Sequence, residues 1–169
     1  VGSLDALEWG RLANENPPKL KTFDRFGHRI DEVEFHPAYH QLMRLGLESG
    51  VSGAAWTAEQ AGHTLHASLL YLMTQADAGT ACPMSMTYAV VPALRAEPAV
   101  AAEWEPRVTS GRYDPRFIPA AEKTGATMGM AMTEKQGGSD VRANTTRAHA
   151  LGTGEYELIG HKWFCSAPM

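Results

Sequence analysis

Met130-Ala131-Met132-Thr133-Glu134-Lys135-Gln136-Gly137-Gly138-Ser139-Asp140 is the stretch on which the reading of this chain turns. An apolar run stops at a Thr-Glu pair. A polar loop with a Gly-Gly step follows and ends in Ser-Asp. Such a layout delivers hydroxyls and free backbone N–H groups at the end of a buried strand, which suits holding a polar ring. Gly137 and Gly138 let backbone approach a ligand closely. Ser139 offers a hydroxyl, and Asp140 can brace the loop through side-chain-to-backbone bonds. Taken alone, a loop of this composition also reads as a plain surface connection between two strands.

The flanks give the loop a setting. Gly125 to Met132 is expected to form a buried strand, and Thr145 to Ala150 is β-compatible. Leu151-Gly152-Thr153-Gly154 is a turn, and the alternation from Tyr156 to Ile159 is that of a strand, which reads on from Glu155 to Cys165. A sheet begun so close to Met169 lacks partners, so a fragment of a longer protein is expected. Upstream the texture is helical. Ser3 is placed to cap a helix through Asn14 that Pro17-Pro18 terminates. Residues 19–35 read as irregular, with a turn at Arg25-Phe26-Gly27. A second helix is predicted from Pro37 to Glu48. A third carries Ala58, Ala61, Leu65, Leu69, Leu72 and Ala76 as its buried stripe, widened by Leu70, Tyr71 and Met73, with Gly79 placed to end it. Another is predicted to open at Pro83 and run to Leu94, weakened by Pro92. A last one opens at Pro98 with Val100, Trp104 and Val108 on one face, its regularity limited by Pro106. The fold class is α+β: an all-α domain over residues 1–123, then the beginning of a β domain over 124–169.

Bulk properties narrow the function. The chain has 169 residues, 44% hydrophobic and 20% charged, with a net charge of -4. That is enough apolar material for one core or two small ones, and it gives no electrostatic argument for nucleic acid in this segment. The two cysteines, Cys82 and Cys165, form no CxxC pair and no disulfide framework, so a reducing, cytoplasmic setting is the default. No apolar stretch is long enough to span a bilayer.

Other residues carry chemistry-bearing side chains. His36 and His40 have a metal-ligand spacing but no third ligand, and Pro37 makes His36 a capping residue, so no metal is assigned. His63 and His66 flank the apolar stripe of a helix and read as packing or surface residues. Cys165 reads as a small buried filler. Met84, Met86, Met128, Met130 and Met132 read as core packing, with a soft wall against a ligand as the alternative. Lys162 and Arg147 read as a solvated strand face.

The pattern around the loop is long. Gly129-Met-Ala-Met-Thr-Glu134, then Gly138-Ser-Asp140, then Thr145-Thr-Arg-Ala148, then Tyr156-Glu-Leu-Ile-Gly-His-Lys-Trp-Phe164 resembles the middle domain of acyl-CoA dehydrogenases. Further stretches look like the branch of that family tied to the bacterial adaptive response to alkylation: Gly10-Arg-Leu-Ala-Asn14-Glu-Asn-Pro-Pro18, Val33-Glu-Phe-His-Pro-Ala-Tyr-His40 and Cys82-Pro-Met-Ser-Met-Thr-Tyr-Ala89. Lys135-Gln136 and Asn16-Pro17-Pro18 set that branch apart from ordinary dehydrogenases.

The resemblance implies a β-barrel middle domain between two helical domains, with FAD as cofactor. It implies that Met130, Ala131, Met132, Thr133, Glu134, Lys135, Gln136, Gly137, Gly138 and Ser139 line the flavin, with Thr133 and Ser139 as polar contacts. Phe164, Cys165 and Ser166 would lie over the ring, Ser166 matching a family threonine. Phe164 stands where the family usually has Trp, and Ala167 replaces a common Asn. The family's catalytic glutamate falls beyond Met169, so no catalytic residue is nominated, and Glu134 is assigned to the loop. The implied protein is a cytoplasmic homotetramer with weak acyl-CoA dehydrogenase activity. It is linked to protection of DNA from alkylation damage and binds double-stranded DNA through its C-terminal region. An ordinary acyl-CoA dehydrogenase and a non-catalytic helical interaction module are the alternatives.

Overall fold

The computed structural model describes residues 1–166; Ala167, named above as a replacement for Asn, lies outside the described residues. The chain divides into two compact units, Val1–Met128 and a second beginning at Gly129.

The first unit is helical. Helix α1 (Leu4–Glu15) starts where the Ser3 hydroxyl accepts the N–H of Ala6 at 3.2 Å, satisfying one of the free donors of its first turn. It stops before Pro17-Pro18, which cannot continue it. Residues 19–34, expected to be irregular, instead form a hairpin. Strand β1 (Lys19–Phe23) pairs antiparallel with β2 (Arg29–Glu34), with an irregularity between Lys21 and Phe23. Asp24 closes the turn by accepting N–H bonds from Phe26 and His28. The hairpin hides from a core-based reading because Leu20 and Phe23 are exposed.

Helix α2 (Pro37–Glu48) keeps the expected bounds, with the His36 imidazole accepting the N–H of Ala38 as its cap. Its Leu42, Met43 and Leu47 form the main core with Val51, Met73 and Met84. After a short helix α3 (Ala54–Thr57), helix α4 spans Gly62–Ala76. The expected stripe holds in part: Met73 is buried, and Leu69, Leu70 and Ala76 pack against the main core. Leu65, Tyr71 and Leu72 are exposed, whereas His66, seven residues before Met73 on the same face, is buried. His66 can be there because its Nδ1 donates to the Val51 carbonyl and its ring stacks on Tyr88.

Gly79 does not end α4, nor does Pro83 open the next helix. Asp77 does both. Its N–H donates to Met73, closing α4, and its carboxylate accepts the N–H of Thr80 at 2.6 Å, opening α5 (Ala78–Ala89). Pro83 sits inside α5, near enough to the start that only one intrahelical bond is lost. The expected weakening at Pro92 is a break at Val90, after which α6 (Val91–Leu94) begins. Helix α7 (Pro98–Val108) runs through Pro106 to Val108. Trp104 and Val108 face a second cluster with Val91 and Leu94, while Val100 is exposed. Met84 and Met86 are core residues, and Met128 packs on the second cluster.

In the second unit, strands β3 (Arg147–Ala150) and β4 (Tyr156–Ile159) pair from Arg147↔Ile159 to Ala150↔Tyr156. The strand expected from Glu155 to Cys165 is thus limited to four residues. The buried strand expected over Gly125–Met132 is absent, and Met130 and Met132 are exposed. What forms is displaced and short. Isolated antiparallel bridges link Met130 to Ser166 and Glu134 to Lys162. Among the described residues, no helix is long and apolar enough to cross a membrane.

Candidate functional site

Two segments thirty residues apart in sequence run side by side in the second unit. Both bridges share one antiparallel register, which sets Thr133 opposite Trp163 and Met132 opposite Phe164. The Trp163 N–H donates to the Thr133 carbonyl at 2.9 Å, and the Ser166 N–H to that of Met130 at 3.3 Å. Met130 to Glu134 thereby meets Phe164, Cys165 and Ser166, all named from the sequence as candidate ligand contacts. Met130, Met132, Trp163 and Phe164 expose apolar surface. Thr133 is half-buried, and Ala131, Lys135, Gln136, Gly137, Gly138, Ser139 and Ser166 are exposed. Cys165, expected as a buried filler, is exposed.

The loop turns at once after the ladder. Glu134 and Gly137 exchange reciprocal backbone bonds, closing a two-residue turn at Lys135-Gln136. The two glycines that follow serve different ends. Gly137 has φ +143°, a conformation that side chains oppose. Gly138 gives room to Thr133: a Cβ there would lie 2.6 Å from the threonine hydroxyl oxygen. Asp140 braces the loop as expected, its carboxylate accepting the N–H of Arg142.

The centre of the unit is polar. Glu134 is 1% exposed, the only buried residue of this unit among those described. One carboxylate oxygen accepts the N–H and hydroxyl of Thr146, at 2.9 and 2.6 Å, and the Lys162 ammonium at 3.0 Å. The other accepts the N–H and hydroxyl of Thr145, at 2.7 and 3.0 Å, and the Gln136 amide at 2.8 Å. The Thr146 hydroxyl, the Gln136 amide and the Thr145 N–H hold the carboxyl far below the usual carboxylate range, against the opposing effect of burial. A carboxylate so engaged has no acceptor capacity left for a substrate proton. Lys162 is therefore no solvated strand residue: it also donates to the Met132 carbonyl, which Asn144 caps from the other side at 3.0 Å.

Sequence reasoning gave Thr145, Thr146 and Gln136 no contact to Glu134. The available signal was a lone Glu ending an apolar run, with two consecutive hydroxyl residues eleven and twelve positions later. Elsewhere, His40 bonds the Tyr113 hydroxyl at 2.6 Å and His63 that of Tyr88 at 3.0 Å. Among the described residues, no three His, Cys, Asp or Glu side chains are grouped to hold a metal.

Comparison with known proteins adds the lineage. The family described as "Adaptive response protein AidB N-terminal domain" matches residues 1–115, well over half of the chain. The chain belongs to the AidB N-terminal domain family. AidB of Escherichia coli strain K12 is 46% identical over 99% of this chain, which covers 32% of that protein. "Acyl-CoA dehydrogenase family member 11" of Caenorhabditis elegans is 30% identical over 94% of the chain and 26% of its own length. Two solved structures share the fold. "Bd2924 apo-form" has a TM-score of 0.78 and 30% identity over 97% of this chain and 33% of its own. Caenorhabditis elegans ACDH-11, solved in complex with C11-CoA, has a TM-score of 0.75 and 29% identity over 96% of this chain and 27% of its own. This AidB-like chain thus spans about a third of the length of the relatives it matches, and its fold fits an N-terminal helical domain with the start of the middle domain.

Proposed function

We propose that the longer protein is an FAD-binding, AidB-type acyl-CoA dehydrogenase-like flavoprotein. The observation that carries the reading is the shared register of 130–134 and 162–166. It sets the Ser166 hydroxyl beside the apolar Met130, Met132 and Phe164 on one face of the pair, where a flat heterocycle with one polar edge needs both. Thr133, Ser139 and Ser166 offer donors, and Met130, Met132 and Phe164 offer surface for a ring face. This donor set fits a flavin, and these residues, with the backbone of 135–138, would hold it. A bound flavin supplies hydride acceptance, and donors near its pyrimidine edge favour the reduced form. Gln136 would act through backbone alone, since its side chain is committed to Glu134.

The relatives support an acyl-CoA thioester as the substrate class, since one of them was solved with C11-CoA. The proposal extends to weak acyl-CoA dehydrogenation, to a cytoplasmic homotetramer and to a role in limiting alkylation damage to DNA. Duplex DNA would be engaged by a part of the protein outside this chain, whose own net charge of -4 offers no attraction to phosphate. The test is the intact protein, stripped of cofactor and titrated with FAD. Uptake with a visible flavin band supports the reading, and absence of uptake refutes it. Ser166→Ala should raise the FAD dissociation constant or shift the flavin potential. Bleaching of the bound flavin by acyl-CoA at enzyme-like rates would favour the ordinary dehydrogenase. Retardation of duplex DNA that weakens with salt would favour the AidB-type role.

A further inference from the structure

Glu134 collects its donors from three separate places: Gln136 in the adjoining turn, Thr145 and Thr146 just before β3, and Lys162 across the ladder. It is also the immediate neighbour of Thr133, whose side chain packs onto Gly138. Whatever fixes the Glu134 carboxylate therefore fixes the end of the 130–134 segment, the turn after it and the segment opposite. We propose that Glu134 is the positioning residue of the candidate site, holding Thr133 and the 135–139 loop in one geometry, with Gln136 as its partner from the pair that marks the AidB branch. This rests on the flavin reading given above.

The chemistry favours a positioning role over contact. With three donors on each oxygen, the carboxylate is saturated and does not reach a ligand itself. Glu134→Gln keeps the shape but turns one oxygen into an NH₂ group that faces three donors, so one half of the clasp must open. The freed half leads to Thr145 or Thr146 on one side and to Thr133 on the other. Gln136→Ala removes a single donor from an exposed turn and is the milder probe.

The test uses the intact protein stripped of flavin, with FAD as the probe and two readouts. In the FAD-free protein, amide exchange at Thr145 and Thr146 should quicken about tenfold or more in Glu134→Gln, the consequence of leaving buried donors unpaired. Unchanged exchange overturns the clasp. For FAD affinity, Glu134→Gln and Thr133→Ala should each weaken binding about tenfold, by loss of one well-placed hydrogen bond. The double variant should be no weaker than the worse single one, because Glu134 acts through Thr133. If the two effects multiply instead, Glu134 holds structure without positioning the contact, and the proposal falls while FAD binding stands. If the wild-type protein takes up no FAD, the flavin reading and the positioning role fall together. Should Glu134→Gln not fold, Gln136→Ala carries the same cycle with Thr133→Ala, and multiplicative effects there overturn the proposal equally.

Discussion

Gly138→Ala is the sharpest perturbation that the site geometry allows. The new Cβ would meet Thr133 at 2.6 Å from Oγ1, 3.1 Å from Cγ2 and 3.3 Å from Cβ. Ordinary contact begins at 3.4 Å, so the threonine hydroxyl must withdraw by roughly 0.8 Å. Thr133 is β-branched and cannot easily swing away, and its carbonyl is tied to the Trp163 N–H. Overpacking at such a place costs about 1–3 kcal/mol. Gly137→Ala is the contrasting case. Nothing lies within 4 Å of its Cβ, but φ is +143°, so its cost of about 1–3 kcal/mol is backbone strain. The two mechanisms separate in a double-mutant cycle. Thr133→Ala removes the clashing atoms and should rescue Gly138→Ala by about 1 kcal/mol or more, while leaving Gly137→Ala unrescued. The assay is chemical denaturation of the intact protein, with amide exchange over 130–146 to localise the change. A rescue of Gly138→Ala below about 0.5 kcal/mol would refute the close approach. A rescue of both variants alike would refute the distinction between the glycines.

Further outcomes are expected elsewhere. Met84→Ala empties a fully buried position in the main core and should lower stability by about 2–5 kcal/mol in thermal unfolding. Leu65→Ala, on the exposed side of α4, should cost no more than about 0.5 kcal/mol; the reverse order would return Leu65 to the buried stripe. Burial, with a contribution from Asp77, raises the Tyr39 phenol to about 12. Its contribution to stability is therefore complete below about 10, where the unfolded phenol is neutral, and declines as pH rises toward 12. Tyr39→Phe should flatten the alkaline limb of a denaturation-against-pH curve, and an unchanged limb would count against that assignment. Glu134 has the opposite sign. Its folded carboxyl lies far below its ordinary value of 4.5, so its contribution is whole above that value and is lost progressively on acidification below it. Amide exchange at Thr145 and Thr146 should stay slow at pH 6 and quicken, relative to the intrinsic rate, below about 4; protection that holds at acid pH would contradict it.

What the sequence disclosed was governed by how local the cause is. Helices α1, α2 and α7 were legible because Ser3, His36-Pro37 and Pro98 mark their starts within one or two residues. The junction of α4 and α5 was not, because one residue closes one helix and opens the next. Asp77 does so by its own N–H and its own carboxylate, and neither Gly79 nor Pro83 carries that information. The stripe of α4 was legible only in part, because periodicity marks a broad face but not which of its residues are covered. His66 outcompetes Leu65 for burial only once Val51 and Tyr88 are in place to satisfy and stack on its ring. At the candidate site, the loop was visible from composition, but the reasons for its glycines were not. One answers to φ and the other to Thr133, whereas the sequence suggested an approach to ligand.

The second unit also shows why a carboxylate can serve where an apolar side chain would be expected. The two isolated bridges between its outer segments specify register only weakly. Apolar contact tolerates a slip of the 130–134 segment; six directional bonds to one carboxylate do not. A shift of one residue would carry Glu134 to the opposite face, strand the Thr145 and Thr146 donors and separate the charge from Lys162. The buried ion pair need not add net stability to act this way, since its worth lies in the penalty for every other register. On that logic the charge on Glu134 is spent on specificity of pairing, and the exposed hydroxyls and apolar groups beside it are left free for a ligand.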